Sequence, residues 1–231
     1  MEVFNSIPVD LEPDKVLKFM HIRGDNQQIE RVEKMVQELI EVTRSVAKPK
    51  VVYKVSYVDD KDGDTVTIDG VRFTSRVLRI NLDQVERVFP YIATCGTELE
   101  EIAVPSSDVM KSFCFEEIKI MVLRSATTYF SIHLTERYAL GKVSHMNPGS
   151  LESWPLAQQK ELFSLFGSAE ELIGVRLTKS CLMFPLKSVS GIYFPTEIRF
   201  ESCQLCPREK CIGRRASYDT ELAKKYREAT V

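Results

Sequence analysis

The sequence predicts an α+β fold, on three observations. Strand-like runs rich in β-branched and aromatic residues lie on both sides of one long helical segment. Strands and helices do not alternate regularly, as a doubly wound parallel sheet would require. Apolar residues make up 44% of the 231, enough for a packed core and too many for a disordered chain. There is no internal repeat and no low-complexity linker. The chain therefore reads as one domain, with a helical N-terminal arm over 1–50 and an α+β body over 51–231. That body ends in a cysteine-rich segment, 201–215.

Residues 12–20 read as a short helix. The stretch 27–46 is a stronger one, because Ile29, Val32, Met35, Val36, Leu39 and Ile40 share a helical face. VVYKVSYV at 51–58 and VTIDGVRF at 66–73 have strand composition. Between them DDKDGDT reads as a turn. A calcium loop would need a glutamate at its twelfth position, and counting from Asp60 or Asp62 reaches Val71 or Phe73. A helix over 82–89 capped by Asn81 or Asp83 comes next, then a short strand in PYIATCG. TELEEIA starts a helix whose acidic first turn suits the helix dipole. The longest helical candidate runs from about 107 to 140, with Gly141 as its terminator. KVSHMNPGSLESWP reads as an ordered loop, and PLAQQKELFSLF as a helix with Pro155 near its first turn. Two strand-like runs joined by PLK fill 174–195, and a polar helix spans 218–229.

Composition excludes several function classes. The formal net charge is -2, from 31 basic and 33 acidic residues, which does not suit a dedicated nucleic-acid binder. No apolar run reaches the roughly 20 residues of a membrane span, and MEVFNSIPVDLEPDK is not a secretory signal. These features describe a cytoplasmic protein. There is no P-loop, no glycine-rich dinucleotide fingerprint and no nucleophile elbow. His21, His133 and His145 are far apart and form no local ligand motif.

The segment ESCQLCPREKCIGRR crowds Cys203, Cys206 and Cys211 beside four basic residues. In a reducing compartment this is metal-site or reactive spacing rather than a disulfide scaffold. Thiolates favour an iron–sulfur cluster or zinc, with Cys181 or Cys95 as the fourth ligand. Free redox thiols are the remaining reading. Arg208, Lys210, Arg214 and Arg215 would stabilise thiolates, or dock an acidic electron-transfer partner.

HMNPGSLESWPLAQQKELFSLFG at 145–167 and GVRLTKSCLMFPLKSVSGI at 174–192 together resemble the activation domain of cobalamin-dependent methionine synthase. Stand-alone proteins that carry this domain without the catalytic modules are the most similar. The resemblance covers about 85 to 225. It implies a C-shaped α+β domain built on a twisted antiparallel sheet with flanking helices. It implies a site for S-adenosylmethionine, and a partner that carries cobalamin, either a corrinoid protein or a cobalamin-dependent methyltransferase. A flavodoxin- or ferredoxin-like protein would supply the electron.

In that family the adenosylmethionine loop has arginine, two variable residues, then proline, glycine and tyrosine. Pro148 and Gly149 match, whereas His145 stands at the arginine and Ser150 at the tyrosine. Neutral histidine cannot replace the bidentate fork of arginine, although protonated His145 would do so in part. By the same resemblance Lys179 and Lys187 would meet a carboxylate or the corrin periphery, and Ser188, Ser190 and Gly191 would admit a flat ligand close to backbone. Cys181 becomes the preferred fourth metal ligand, because it lies in the run expected to line the active face. The implied function is an accessory protein that binds a corrinoid protein and helps to reactivate it reductively. The alternatives are a non-catalytic, corrinoid-protein-binding or metal-stabilised adaptor, and a diverged adenosylmethionine-binding protein with no link to cobalamin.

Overall fold

The computed structural model describes residues 1–22, 26–105, 107–211 and 213–228. Its strands are β1 (Glu2–Phe4), β2 (Lys50–Tyr53), β3 (Ser56–Asp62), β4 (Thr65–Ile68), β5 (Val71–Thr74), β6 (Arg87–Thr94), β7 (Lys142–Met146), β8 (Arg176–Leu177), β9 (Met183–Phe184) and β10 (Ser188–Thr196). Its helices are α1 (Pro13–Met20), α2 (Asn26–Val46), α3 (Arg76–Asn81), α4 (Val109–Arg137), α5 (Gln159–Ser164), α6 (Ala169–Ile173) and α7 (Thr220–Glu228). The α+β class read from the sequence is the observed one.

The main sheet has eight strands, all antiparallel, and β6 is its axis. One edge of β6 pairs with β10, which in turn pairs with β7. The other edge is shared. β2 takes its second half, with Lys50 opposite Thr94, and β3 takes its first, with Ser56 opposite Val88. Pro90 sits where the partner changes. A proline has no N–H for a ladder and is normally kept out of central strands. Here its carbonyl accepts from Lys54 N at 3.1 Å, in the link between β2 and β3.

Alternation along β2 and β6 feeds two cores. Val52 and Ile92 face a core with Trp154, Leu162, Phe166 and Ile173, under α3, α5 and α6. Tyr53, Tyr91 and Ala93 face the other side, against Ala126, Phe130 and Leu134 of α4. The first half of α4 leaves the sheet and packs Cys114, Phe115, Ile118 and Val122 on α1 and α2. Residues 1–50 thus supply β1, which pairs with β2, and two helices packed on α4.

Several elements differ from the sequence reading. The helix expected over 82–89 lies earlier, as α3, because Ser75 Oγ accepts from Leu78 N at 3.1 Å and caps it there. Val88 and Phe89 instead enter β6, which is buried on both faces and so shows no alternation. TELEEIA forms only a 3₁₀ turn, Thr97–Glu101. KVSHM is not a loop but strand β7, paired with β10 residue for residue, Tyr193 opposite His145. Its partner lies nearly fifty residues on, so no local pattern announces it. Among the described residues no helix is long and apolar enough to cross a membrane.

Candidate functional site

A cleft of about 740 Å³ opens between α4 and the β7–β10 edge of the sheet. Its α4 wall carries Leu123, Arg124, Thr127, Thr128 and Ser131. The opposite wall is the loop after β7, with Val189, Ser190 and Tyr193 of β10 behind it. Of the residues singled out in the sequence, His145, Pro148, Gly149, Ser150 and Ser190 line this one space.

The loop is held by its own geometry. Gly149 has φ 82°, and its N–H donates to Trp154 O at 2.7 Å. A Cβ there would also stand 2.9 Å from Leu156 Cδ1, so glycine is needed on both counts. Asn147 Nδ2 donates to Tyr91 Oη at 3.0 Å and to Ser190 O at 2.7 Å, tying the loop to β6 and β10. Gly191 is surrounded by protein rather than ligand. A Cβ on it would collide with Met146 O and Asn147 Nδ2. Its role is the close approach of β7 to β10.

An aromatic floor runs beneath. The Tyr193 ring lies 4.9 Å from the His145 ring at 31°, and 5.0 Å from Tyr91. Burial raises the Tyr193 phenol to about 12, so it stays a neutral hydrogen-bonding group. Two buried polar atoms at the cleft have no partner among the described residues, Ser190 Oγ and Gln159 Oε1. Buried polar groups are seldom left unpaired; both atoms are closed off from solvent, and Ser190 stands opposite Ile92, on the face of β10 away from Tyr193.

Charge in the cleft comes from outside the loop. Its charged lining residues are Arg124, Arg199 and Arg215, with no carboxylate among them. Arg215 Nη1 lies 3.0 Å from His145 Nε2. A guanidinium can only donate, so Nε2 accepts and the ring proton sits on Nδ1. Burial and the Arg215 charge lower the His145 pKa to about 4. The protonated His145 expected as a partial arginine substitute is therefore corrected: this ring is neutral at physiological pH.

The remaining candidates lie elsewhere. Lys187 Nζ is paired with Glu116 at 3.1 Å, and Lys179 does not line the cleft. Ser188 Oγ lies 2.7 Å from Pro185 O and 2.9 Å from Thr94 Oγ1, a local clasp at the start of β10.

The cysteines do not converge. Cys203 lies within a 3₁₀ turn, Ser202–Leu205, and Cys206 caps its end; Cys211 is exposed, and Cys181 is buried with its Sγ 3.9 Å from Ala157 O. Among the described residues no three His, Cys, Asp or Glu side chains are placed to hold a metal ion. What orders the segment is Arg214, whose guanidinium donates to Cys203 O, Ala216 O and Cys206 O at 3.2–3.3 Å. Burial alone would raise the Cys203 thiol. The N–H groups of Arg215 and Ala216, with the Arg215 charge, outweigh it and lower the pKa. Proximity of Arg215 to a thiolate was legible in the sequence; its reach into the cleft was not.

Residues 149–204, from the PG loop to the start of the cysteine segment, match the family described as vitamin B12 dependent methionine synthase, activation domain. Among solved structures the chain is similar to the MetH reactivation domain bound to AdoHcy. The TM-score is 0.59 at 12% identity, over 87% of this chain and 81% of that one. The chain has the activation-domain fold. No curated protein sequence matches it. In this activation-domain fold the matched stretch runs through most of the loop, the packing helices α5 and α6, and β10, so it supplies much of one wall of the cleft.

Proposed function

We propose that this protein is an accessory module of a corrinoid methyltransferase system. In this reading the cleft binds an S-adenosylmethionine-type ligand, the protein docks on a corrinoid-carrying partner, and it helps to return that partner to its active state. The observation that carries the reading is that the stretch matching the activation-domain family, 149–204, supplies much of one wall of the cleft. The space is large enough for a nucleoside with an amino-acid arm. Bound there, the ligand would supply a methyl group. The residues of this chain bind and orient it, and cover the partner's corrin. Electrons would come from a flavodoxin- or ferredoxin-like donor.

Two measurements test this. Calorimetric titration with S-adenosylmethionine and S-adenosylhomocysteine is expected to show one site. Pull-down against a corrinoid protein is expected to show tighter binding to the cob(II) form than to the methylated form, since only differential affinity shifts a population. Nucleoside binding without any corrinoid partner would leave an adenosylmethionine-binding protein unconnected with cobalamin. Partner binding without the nucleoside would leave an adaptor. Absence of both would overturn the proposal.

A further inference from the structure

The cleft lacks a guanidinium on its own loop, where His145 stands, yet a guanidinium is present in the space. We infer that Arg215, delivered by the C-terminal segment, is the carboxylate-binding residue of this cleft, and that the ligands it selects carry a carboxylate. This rests on the cleft being the ligand site proposed above.

The geometry is that of an aimed fork rather than a loose surface arginine. Arg215 Nε lies 3.3 Å from Glu201 Oε2, and Nη1 lies 3.0 Å from His145 Nε2. Its backbone N–H donates to Cys203 Sγ at 3.4 Å, which fixes the residue from behind. Glu201 is shared. Its other oxygen takes Arg199 Nη2 at 3.1 Å, so one carboxylate serves two guanidiniums and leaves the pair with excess positive charge. Glu201 does not line the cleft, whereas both arginines do. The positive charge is thus presented to the ligand and the negative charge is held behind it. The planar fork carries more N–H donors than these acceptors consume, and it matches a carboxylate edge. Neutral His145 takes the complementary part. With its Nε2 lone pair directed at Arg215, the ring holds that guanidinium in place.

The test uses the full-length protein and three probes: S-adenosylhomocysteine, 5′-methylthioadenosine, which keeps the nucleoside and lacks the carboxylate, and propionate. Arg215→Ala is expected to weaken S-adenosylhomocysteine by roughly ten- to a hundredfold, the range of charge-assisted hydrogen bonds. It should leave methylthioadenosine within about twofold, close to the scatter of such contributions. Arg215→Lys should fall between, because charge is kept and the fork is lost. Equal weakening of both nucleosides, or no weakening of either, overturns the inference. If the wild-type protein binds neither nucleoside, the ligand reading fails while Arg215 is still judged, by the NMR shifts of the His145 ring on adding propionate. Shifts present in the wild type and lost in Arg215→Ala support a carboxylate clamp. No shift, or a stronger response to inorganic phosphate than to propionate, overturns it.

Discussion

The two sides of the cleft are held by different physics. The β6–β10–β7 wall is a continuous antiparallel ladder whose buried side chains lie between two cores. The strap over 201–216 has one 3₁₀ turn and an arginine that gathers carbonyls. The wall sets the shape of the cleft, and the strap adds Arg215 to the charge that Arg124 of α4 and Arg199 bring. A change in the wall should therefore cost stability, whereas a change in the strap should cost recognition and leave the fold standing.

Thiol chemistry shows the largest expected contrast. Cys95, fully buried beside Glu100, has its thiol pushed up to about 12 by burial first and by that carboxylate second. Cys203 is lowered and half-buried. With iodoacetamide at neutral pH, peptide mapping should find Cys203 alkylated faster than Cys95 by at least about a thousandfold, the ratio of their thiolate fractions. Comparable rates would mean that the wall opens as readily as the strap.

Gly191→Ala tests the wall directly. A methyl group aimed at Met146 O has backbone in its way, so β7 must move off β10. We expect a loss of about 2–3 kcal/mol in urea unfolding, at the upper end of overpacking costs. A stability unchanged from the wild type would show that β7 is loosely attached.

Acid should find the joint between the two regions. His145 is lowered from about 6.5 to about 4 by burial first, then by Arg215, with Glu201 opposing and Arg199 adding a little. The unfolded chain then binds the proton more readily, so this contribution to stability is complete above about pH 6.5 and lost as pH falls toward 4. Thermal melts across that window should show the slope, and His145→Gln should flatten it. An unchanged slope in the variant would place the titration elsewhere.

Arg214→Ala should have the smallest global effect. Losing four carbonyl partners, on Cys203, Cys206, Arg208 and Ala216, frees the strap. Amide exchange should speed up over 201–216 while β6 and β10 stay protected, and the unfolding midpoint should move by only about 1–2 °C. A large fall would mean that the strap carries the fold.

Local chemistry alone determined much of this protein. The 3.6-residue pattern gave α2, a long run of mixed small and bulky residues ending at Gly141 gave α4, β-branched runs gave β2 and β10, and Pro148-Gly149 marked the loop that lines the cleft, because each signal lies within a few residues of its cause. The cysteine spacing was equally plain, yet spacing fixes only what thiols can reach, and the fold sends Cys181 toward Ala157 instead. Other features depend on partners that are distant in sequence. β7 is a strand only because β10 lies beside it. Lys187 is consumed by Glu116 of α4. Arg215 meets His145 across 70 residues. Strand pairing and ion pairing between remote segments leave no periodicity in the chain, so tertiary structure alone decided that Arg215 stands beside His145 in this cleft and that the histidine is neutral.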